Sequence, residues 1–422
     1  MIFFGTDGIR GKAYDTLPLL RAFQFGFAIK SLYANKKVII GYDTRESAVD
    51  YVSALIHGLD NTKFEVAGIV TTPMIAYYSN LKSCIGIMVT ASHNPYYDNG
   101  LKIFIDGYKI DDQAKMDIEN HMNKVSEYKH KKIPFKISNH TRNLYLEFIK
   151  SLELKNKFNN YIIDAANGSA SYVSSDLFDG KIYFNNPNGK NINENCGCTC
   201  INIISEINKE NEVSFSFDGD GDRVLITFGS KILNGDEIMY IIAKDMVQNG
   251  KKPKIACSIM TNPGSVKAFN KIGIDLVETN VGDAFLMKEI RKGNADIGFE
   301  SSGHFILNYG NNILLGDGLL VAKILIDIFS RYDVDFIYTW LKEIQLSPMK
   351  TENLRLEKKL LDDIKIKECL NKIIESKSFD DKIIIRPSGT EDLIRLTVGM
   401  KNQNDVEKTL KSIKDCITGV KT

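Results

Sequence analysis

Hydrophobic residues occur in this chain either as short continuous runs or at helical spacing. These two patterns alternate along the sequence, which predicts alternating strands and helices. Short apolar runs, Val38–Tyr42 and Ile85–Val89, stop abruptly at polar residues, which is typical of buried strands. Between them, apolar residues from Tyr51 to Leu59 recur at a period of about 3.6, which indicates a helix. This strand–helix–strand order predicts an α/β region with mostly parallel strand pairing.

The same plan returns twice. The runs 161–164 and 255–257 each lead into a polar turn and a helical stretch, and each copy has a later strand that stops at a polar loop. The three loops begin near Ser92, Asp218 and Glu300, so we predict three related mixed α/β domains, each contributing a loop to one site.

The C-terminal residues show a different order, helix, strand, strand, helix, which predicts a smaller α+β domain that brings a fourth loop. We therefore predict four domains, at 1–150, 151–250, 251–347 and 348–422.

Composition narrows the class of protein. A hydrophobic content of 43% with 25% charged residues is ordinary for a globular protein. The net charge of +1 gives no field that attracts nucleic acid or an acidic membrane surface. No apolar run reaches the ~20 residues of a membrane span, and the first residues do not resemble a secretion signal. We expect a cytoplasmic protein without nucleic-acid or membrane partners, either a monomer or a homodimer.

The chain has seven cysteines. An odd number without a secretion signal predicts reduced thiols rather than a disulfide framework. Cys196, Cys198 and Cys200 lie close together but have no histidine nearby, so a closed four-ligand zinc site would need a distant partner. We favour a reduced loop over a metal or redox site.

The first loop, Thr90 to Lys102, follows a predicted buried strand. Open α/β sheets place their chemistry at the carboxyl ends of strands, which makes Ser92 the candidate for the reacting atom. The alternative is an ordinary turn, since Ser, Asn and Pro favour turns for local backbone reasons.

The second loop, Asp218 to Arg223, alternates carboxylates with glycines. Such a backbone can curl tightly and direct three hard oxygen ligands at one point, which suits Mg²⁺. A calcium-binding EF-hand loop is excluded, because Arg223 and Gly229 occupy positions that need glycine and glutamate. An acidic surface turn is disfavoured because clustered like charges repel one another.

The remaining loops carry groups suited to a sugar phosphate. Arg386 to Glu391, with Arg395 on the next strand, supplies guanidinium groups, hydroxyls and backbone amides for a phosphate monoester, although Pro-Ser-Gly is also a common turn. Glu300 to His304 offers donors and acceptors for a polyhydroxylated ligand, unless His304 is only structural. We therefore assign the reacting serine, the metal site, sugar recognition and phosphate binding to the four domains in turn.

Two arginines near the start are further candidates. Arg10 and Arg45 could both face an anionic centre, the alternative being surface ion pairs.

Together these segments resemble the α-D-phosphohexomutase family, and most of all its bacterial phosphoglucosamine mutases. The resemblance spans nearly the whole chain and is carried, in order, by Phe4–Gly11, Thr90–Pro95, Asp218–Arg223, Glu300–His304 and Arg386–Glu391. It implies a heart-shaped protein with three mixed α/β domains and a smaller C-terminal one around a central cleft.

The resemblance also implies a role for each matching residue. Ser92 would be the phosphoserine, and Mg²⁺ would be held by its phosphoryl group with Asp218, Asp220 and Asp222. Lys102 would transfer protons, with Arg10 and Arg223 beside it in the catalytic centre. The substrate would be bound by Glu300, Ser302, His304, Arg386, Ser388, Gly389, Thr390 and Arg395.

The function that we predict is interconversion of glucosamine-6-phosphate and glucosamine-1-phosphate through a phosphoserine and a hexosamine bisphosphate, which would supply UDP-N-acetylglucosamine and cell-wall precursors. A hexose or hexosamine bisphosphate would act as activator. The alternatives are a phosphoglucomutase or phosphomannomutase, a serine-dependent phosphatase, and an inactive sugar-phosphate binding protein. The phosphatase is disfavoured because the Gly-x-Ser-x-Gly elbow is absent.

Three departures from the phosphoglucosamine branch lie where sugar recognition is tuned. Cys198 and Cys200 replace the usual Ser and His, Ala284 replaces an arginine, and Ser301 replaces a glutamine. None touches the predicted transfer machinery.

Overall fold

The computed structural model describes residues 4–5, 8–308, 314–378, 381–387 and 393–419, and within them the strands form four sheets. Each sheet lies inside one of the four ranges predicted from the sequence, whose boundaries stay a prediction. Among the helices that the structure describes, none is long and apolar enough to cross a membrane.

The first sheet has the order β1-β2-β6-β5-β3-β4, with β7 paired to β6. Its strands are β1 (Phe4–Gly5), β2 (Gly8–Lys12), β3 (Val38–Tyr42), β4 (Phe64–Ile69), β5 (Ile85–Val89), β6 (Asp98–Ile105) and β7 (Tyr108–Lys109). The helices of this region are α1 (Leu19–Leu32), α2 (Ala48–Leu59), α3 (Thr72–Leu81), α4 (Asp112–Met122) and α5 (His140–Ser151).

The second sheet has the order β12-β11-β10-β8-β9. It consists of β8 (Tyr161–Asp164), β9 (Lys181–Tyr183), β10 (Val213–Phe217), β11 (Val224–Phe228) and β12 (Lys231–Leu233). The helices that accompany it are α6 (Ser174–Leu177), α7 (Ile201–Ile207) and α8 (Gly235–Gln248).

The third sheet has the order β14-β13-β15-β16-β17. Its strands are β13 (Ile255–Ser258), β14 (Leu276–Thr279), β15 (Ile297–Phe299), β16 (Phe305–Asn308) and β17 (Leu314–Gly316). The helices are α9 (Pro263–Lys271), α10 (Asp283–Arg291), α11 (Gly318–Arg331) and α12 (Val334–Glu343).

The fourth sheet is antiparallel, with the order β18-β20-β19. It contains β18 (Met349–Leu354), β19 (Lys382–Pro387) and β20 (Ile394–Gly399), covered by α13 (Ile364–Glu375) and α14 (Gln403–Thr418).

The predicted parallel pairing is confirmed for the strand–helix–strand segment from β3 to β5, and the rest of the first sheet is antiparallel. Strand β3 pairs in parallel with β4 and β5, but β6 is antiparallel to both β5 and β2. The segment between β5 and β6 is too short for a crossover, and a short connection allows only antiparallel neighbours.

This arrangement recurs in the second and third sheets. In the second sheet, β10 pairs in parallel with β8 and antiparallel with the next strand in sequence, β11. In the third sheet, β15 pairs in parallel with β13 and antiparallel with the next strand, β16. Each predicted loop is the connection between such a pair, so the repeat places three chemically distinct turns at equivalent topological positions.

The first three regions share buried surface. The largest apolar core extends from α3 and α5 through the second sheet to α11. Helix α11 follows the third sheet in sequence yet packs on the second, where Phe329 contacts Phe215 and Phe228. The Tyr145 hydroxyl of α5 donates to Asp317 Oδ2 at 2.7 Å, just before α11. The C-terminal sheet has its own core, formed with α13 and α14.

The prediction that all cysteines are reduced is wrong for two of them. Cys369 in α13 and Cys416 in α14 form a disulfide, with Cα atoms 6.0 Å apart, because the two helices pack side by side. The other five cysteines are free thiols.

Candidate active site

Ser92 lies in the turn after β5 and is 1% exposed. Its φ of 54° is in the left-handed region, which is uncommon for a residue other than glycine and is found mainly where the surrounding structure enforces it. The backbone N–H of Ser92 donates to Thr90 Oγ1 at 2.8 Å, and its hydroxyl donates to Asp218 Oδ2 at 2.7 Å. The structure therefore places Ser92, the predicted reacting residue, in direct contact with the aspartate loop predicted to bind the metal.

The aspartate loop follows β10 and is buried. One oxygen from each of Asp218, Asp220 and Asp222 lies within 4.8 Å of the others. Gly221, at φ 73°, makes the sharp turn between them. Burial, together with repulsion from Asp222 and Asp220, raises the pKa of Asp218 well above its usual value.

These three carboxylates fit a magnesium ion. All ligands are hard oxygens, as Mg²⁺ prefers. Oδ1 of Asp220 is buried and accepts no hydrogen bond from the described residues, which suits an oxygen that faces a cation. A divalent cation would also offset the mutual repulsion of the buried carboxylates.

Lys102 is the buried counter-ion of this loop. It lies on β6, and its Nζ is 2.8 Å from Asp220 Oδ2 and 2.7 Å from Asp222 Oδ2. The hairpin of β5 and β6 brings Lys102 beside the loop because Met88 at the end of β5 is its register partner.

His93 lies beside the reacting atom, although its position next to Ser92 in the sequence does not by itself assign it a catalytic role. Its Nδ1 is 3.3 Å from Ser92 Oγ. Burial, followed by the charges of Arg223 and Arg10, lowers the pKa of His93 to about 4, so the ring is neutral near pH 7. Both predicted catalytic arginines therefore act on this centre.

The predicted sugar loop lies next to the aspartate loop. Arg223 and His304 form an isolated antiparallel bridge between the two turns. His304 Nε2 is 3.6 Å from Asp283 Oδ2, which forms an ion pair with Lys109 at 2.6 Å.

Glu300 is buried, and its Oε1 accepts a hydrogen bond from Gly282 N at 2.9 Å. Ser302 is exposed at the tip of the turn.

The predicted phosphate-binding arginines face each other across the last hairpin. Arg386 on β19 is the register partner of Arg395 on β20. Burial and the charge of Arg395 lower the pKa of Arg386, and the charge of Glu300 opposes this shift. Ser388, Gly389 and Thr390 lie outside the described residues.

Both sequence interpretations of Arg45 are wrong. It is completely buried, and it binds Asp43 and backbone carbonyls of the Ser92 loop instead of facing an anionic centre or the surface. Asn193, which we did not single out, binds the same carbonyls. The one available signal was the Asp-x-Arg spacing directly after β3.

Among the residues that the structure describes, Cys196, Cys198 and Cys200 do not form a group of three ligand atoms close enough to hold a metal ion. Within the described chain, the aspartates of residues 218–222 are the one group arranged to hold an ion. Cys198 Sγ donates to Ser216 O at 2.8 Å, and burial raises its pKa well above the ordinary value, so the thiol stays protonated.

The geometry defines a class of chemistry. A buried serine hydroxyl touches a carboxylate cluster suited to a divalent cation, with lysine and arginine charges around it. Positioning and charge neutralisation of this kind are what phosphoryl transfer needs. The fold and site are those of a phosphotransferase, with an aspartate cluster that could hold a divalent cation.

Comparison with known proteins identifies the family. Residues 1–129 match the model for phosphoglucomutase/phosphomannomutase α/β/α domain I, and residues 234–343 match that for domain III. The phosphoglucosamine mutase of Thermotoga neapolitana is 35% identical, covering 99% of both chains. That of Staphylococcus epidermidis is 33% identical, covering 98% of both. The chain belongs to the phosphohexomutase family.

Solved structures show the same fold. A phosphoglucomutase/phosphomannomutase family protein from Burkholderia thailandensis aligns with a TM-score of 0.80 at 20% identity, covering 99% of this chain and 97% of the other. Aspergillus fumigatus N-acetylphosphoglucosamine mutase, in complex with GlcNAc-6P and magnesium, aligns at 0.67 and 16% identity, covering 100% and 96%.

Proposed function

We propose that this chain is a phosphoglucosamine mutase that interconverts glucosamine-6-phosphate and glucosamine-1-phosphate, with Ser92 as the phosphoryl carrier. The observation that carries the proposal is the 2.7 Å contact between Ser92 Oγ and Asp218, inside a buried cluster suited to Mg²⁺. Full-length similarity to phosphoglucosamine mutases supports the choice of amino sugar over glucose or mannose.

In the first half-reaction, the phosphoryl group of phospho-Ser92 passes to the free hydroxyl of the sugar monophosphate. The P–O bond to Ser92 Oγ breaks as a P–O bond to the sugar oxygen forms, which gives a bisphosphate. The second half-reaction returns the other phosphoryl group to Ser92 and releases the isomer. Asp218, Asp220 and Asp222 would hold Mg²⁺, which supplies neutralisation of phosphoryl charge when bound.

The protein's own residues manage charge and orientation. Lys102 is our candidate for the proton of the sugar hydroxyl, because it is a buried amine at the aspartate loop. The two carboxylates within 2.8 Å of its Nζ favour the protonated form, so this role would require a cation that neutralises them. Arg10 and Arg223 add positive charge beside Ser92, as their effect on the His93 pKa indicates. These charges favour the phosphorylated serine, which carries nearly two negative charges.

Substrate binding would fall to the third and fourth loops. Glu300, Ser302 and His304 would contact sugar hydroxyls, and Arg386 with Arg395 would bind the phosphate that does not react. Because the two phosphates exchange places in each cycle, this arginine pair must accept either one. A separate core for the C-terminal sheet is compatible with such adjustment.

The remaining parts of the proposal concern the working enzyme. We propose Mg²⁺ as its ion, a hexose or hexosamine bisphosphate as its activator, and a monomer or homodimer in the cytoplasm as its working form.

A substrate comparison tests the function. Purified protein with Mg²⁺ and a bisphosphate activator is assayed with glucosamine-6-phosphate, glucose-1-phosphate and mannose-1-phosphate, with inorganic phosphate measured in parallel. We expect the highest kcat/KM on the amino sugar and almost no phosphate release. A preference for glucose or mannose phosphate would contradict the substrate, and stoichiometric phosphate release would indicate a phosphatase.

A further inference from the structure

The carbonyl group of Ser92 is held from both sides. Arg45 Nη2 donates to it at 2.9 Å, and Asn193 Nδ2 donates to it at 2.9 Å. Both donors also bind the carbonyl of Asn94, at 2.8 and 3.1 Å. The turn that carries the reacting hydroxyl is therefore fixed through its backbone, by two side chains from different parts of the sequence.

Hydrogen bonds connect both peptide groups of Ser92 to the buried ion pair of Arg45 and Asp43. Its Nε donates to Asp43 Oδ2 at 2.9 Å, and both side chains are inaccessible to solvent. The same Oδ2 accepts the Thr90 hydroxyl at 2.6 Å, and Thr90 Oγ1 accepts the Ser92 N–H at 2.8 Å. Charge-assisted hydrogen bonds of this kind are stronger than neutral ones and fix geometry.

Asn193 reaches this turn from the second region. It lies between β9 and α7, is 9% exposed and has a φ of 58°. The metal loop packs against the same two groups: a Cβ on Gly219 would lie 2.7 Å from Ser92 O and 2.9 Å from Asn193 Nδ2. There is therefore no space for a side chain at residue 219, because the backbone of the metal loop packs directly against the Ser92 carbonyl and the Asn193 amide.

We infer that Arg45 and Asn193 are positioning residues that hold Ser92 in its left-handed conformation, so that Oγ faces the aspartates in every half-reaction. The inference rests on the proposed function of Ser92 as phosphoryl carrier. Without the two donors, the turn can relax to a commoner φ, and the hydroxyl then moves away from Asp218. Because Asn193 belongs to the second region, docking of the first two regions sets the position of the reacting atom.

The decisive variant is Asn193→Gly, which removes the amide but keeps the left-handed backbone accessible. Asn195→Gly is the matched control, because Asn195 lies in the same loop at φ 52°, and its side chain is exposed. We measure kcat, KM, melting temperature and the rate at which glucose 1,6-bisphosphate phosphorylates the protein, by quenched intact-mass analysis.

We expect Asn193→Gly to lower kcat and the phosphorylation rate by at least about tenfold, with KM within about twofold, since misplacement of a reacting group acts on the chemical step. Asn193→Asp, which sets a carboxylate oxygen against two carbonyls, is expected to be no better. Asn195→Gly should behave as wild type in all four measurements.

Equal kinetics in the two glycine variants would overturn the inference, and so would a lowered melting temperature with unchanged kcat, which would mean a structural role only. The variant Ser92→Gly distinguishes failure of the positioning role from failure of the proposed function. If Ser92→Gly is inactive while Asn193→Gly matches its control, the positioning role alone is wrong. If Ser92→Gly keeps turnover, the proposed carrier is wrong.

Discussion

Replacement of Asp218 by asparagine should stabilise the metal-free protein and abolish its response to Mg²⁺. The buried oxygens of the three aspartates lie within 4.8 Å of one another, and the cation Lys102 contacts the other two carboxylates. Unit charges at that distance repel by roughly 3–4 kcal/mol per pair at an effective dielectric constant of about 20. The raised pKa of Asp218 lets protonation relieve part of this repulsion. We therefore expect a net gain of about 1–3 kcal/mol in Asp218→Asn, a few degrees in melting temperature.

The assay is differential scanning calorimetry with EDTA and with saturating Mg²⁺. At a concentration of 100 times Kd, binding stabilises the wild type by about 2.7 kcal/mol, whereas the variant should gain almost nothing and lack mutase activity. Asp362→Asn, with a side chain that is 82% exposed, is the control for the loss of one carboxylate elsewhere. A metal-free Asp218→Asn that melts below wild type, or that responds to Mg²⁺ as wild type does, would refute the reasoning.

Three further predictions concern the scaffold. Burial raises the pKa of Asp317 to about 7, whereas an unfolded aspartate titrates near 4. Between these two pKa values the folded protein binds more protons than the unfolded protein, so its stability decreases as the pH rises. The melting temperature of the wild type relative to that of Asp317→Asn should therefore fall from pH 5 to pH 8. Melting temperatures that change in parallel with pH in the two proteins would contradict this prediction. Gly26→Ala would put a Cβ 2.2 Å from Leu55 O and force α1 and α2 apart. Thermal melting should show that the free energy of unfolding falls by about 1–3 kcal/mol. The kcat of the folded enzyme should be unchanged. Alkylation of the denatured, unreduced protein should modify five of the seven cysteines, sparing Cys369 and Cys416; modification of all seven would show that the pair is reduced.

The four loops could be predicted from the sequence because each is a local event, a polar run that ends an apolar strand. The structure places the Ser92 and Asp218 loops in direct contact and the Glu300 loop next to the aspartate loop. The fourth loop, after β19, lies outside the described residues. The antiparallel turn after β5 was also predictable, since residues 90–97 are too few for a crossover. The strand–helix–strand pattern predicted the parallel pairing of β3, β4 and β5, which the structure confirms.

The groups that position Ser92 could not be predicted in the same way. Arg45 and Asn193 bind backbone carbonyls that are distant in sequence. The Asp-x-Arg spacing after β3 marks Arg45, but it does not show whether the arginine binds carbonyls or phosphate. The position of the His93 ring depends on a left-handed φ that serine rarely adopts. The disulfide depends on how two helices pack, which the spacing of Cys369 and Cys416 does not reveal.

The identity of the phosphoryl carrier tests the account most directly. Wild type and Ser92→Gly, which tolerates the left-handed backbone, are incubated with Mg²⁺ and a hexosamine 1,6-bisphosphate, and phosphorylation is located by intact-mass and peptide mass spectrometry. The account predicts one phosphoryl group, on Ser92, in the wild type, and neither phosphorylation nor mutase turnover in the variant. A phosphoryl group on another residue, or wild-type turnover by Ser92→Gly, would contradict it.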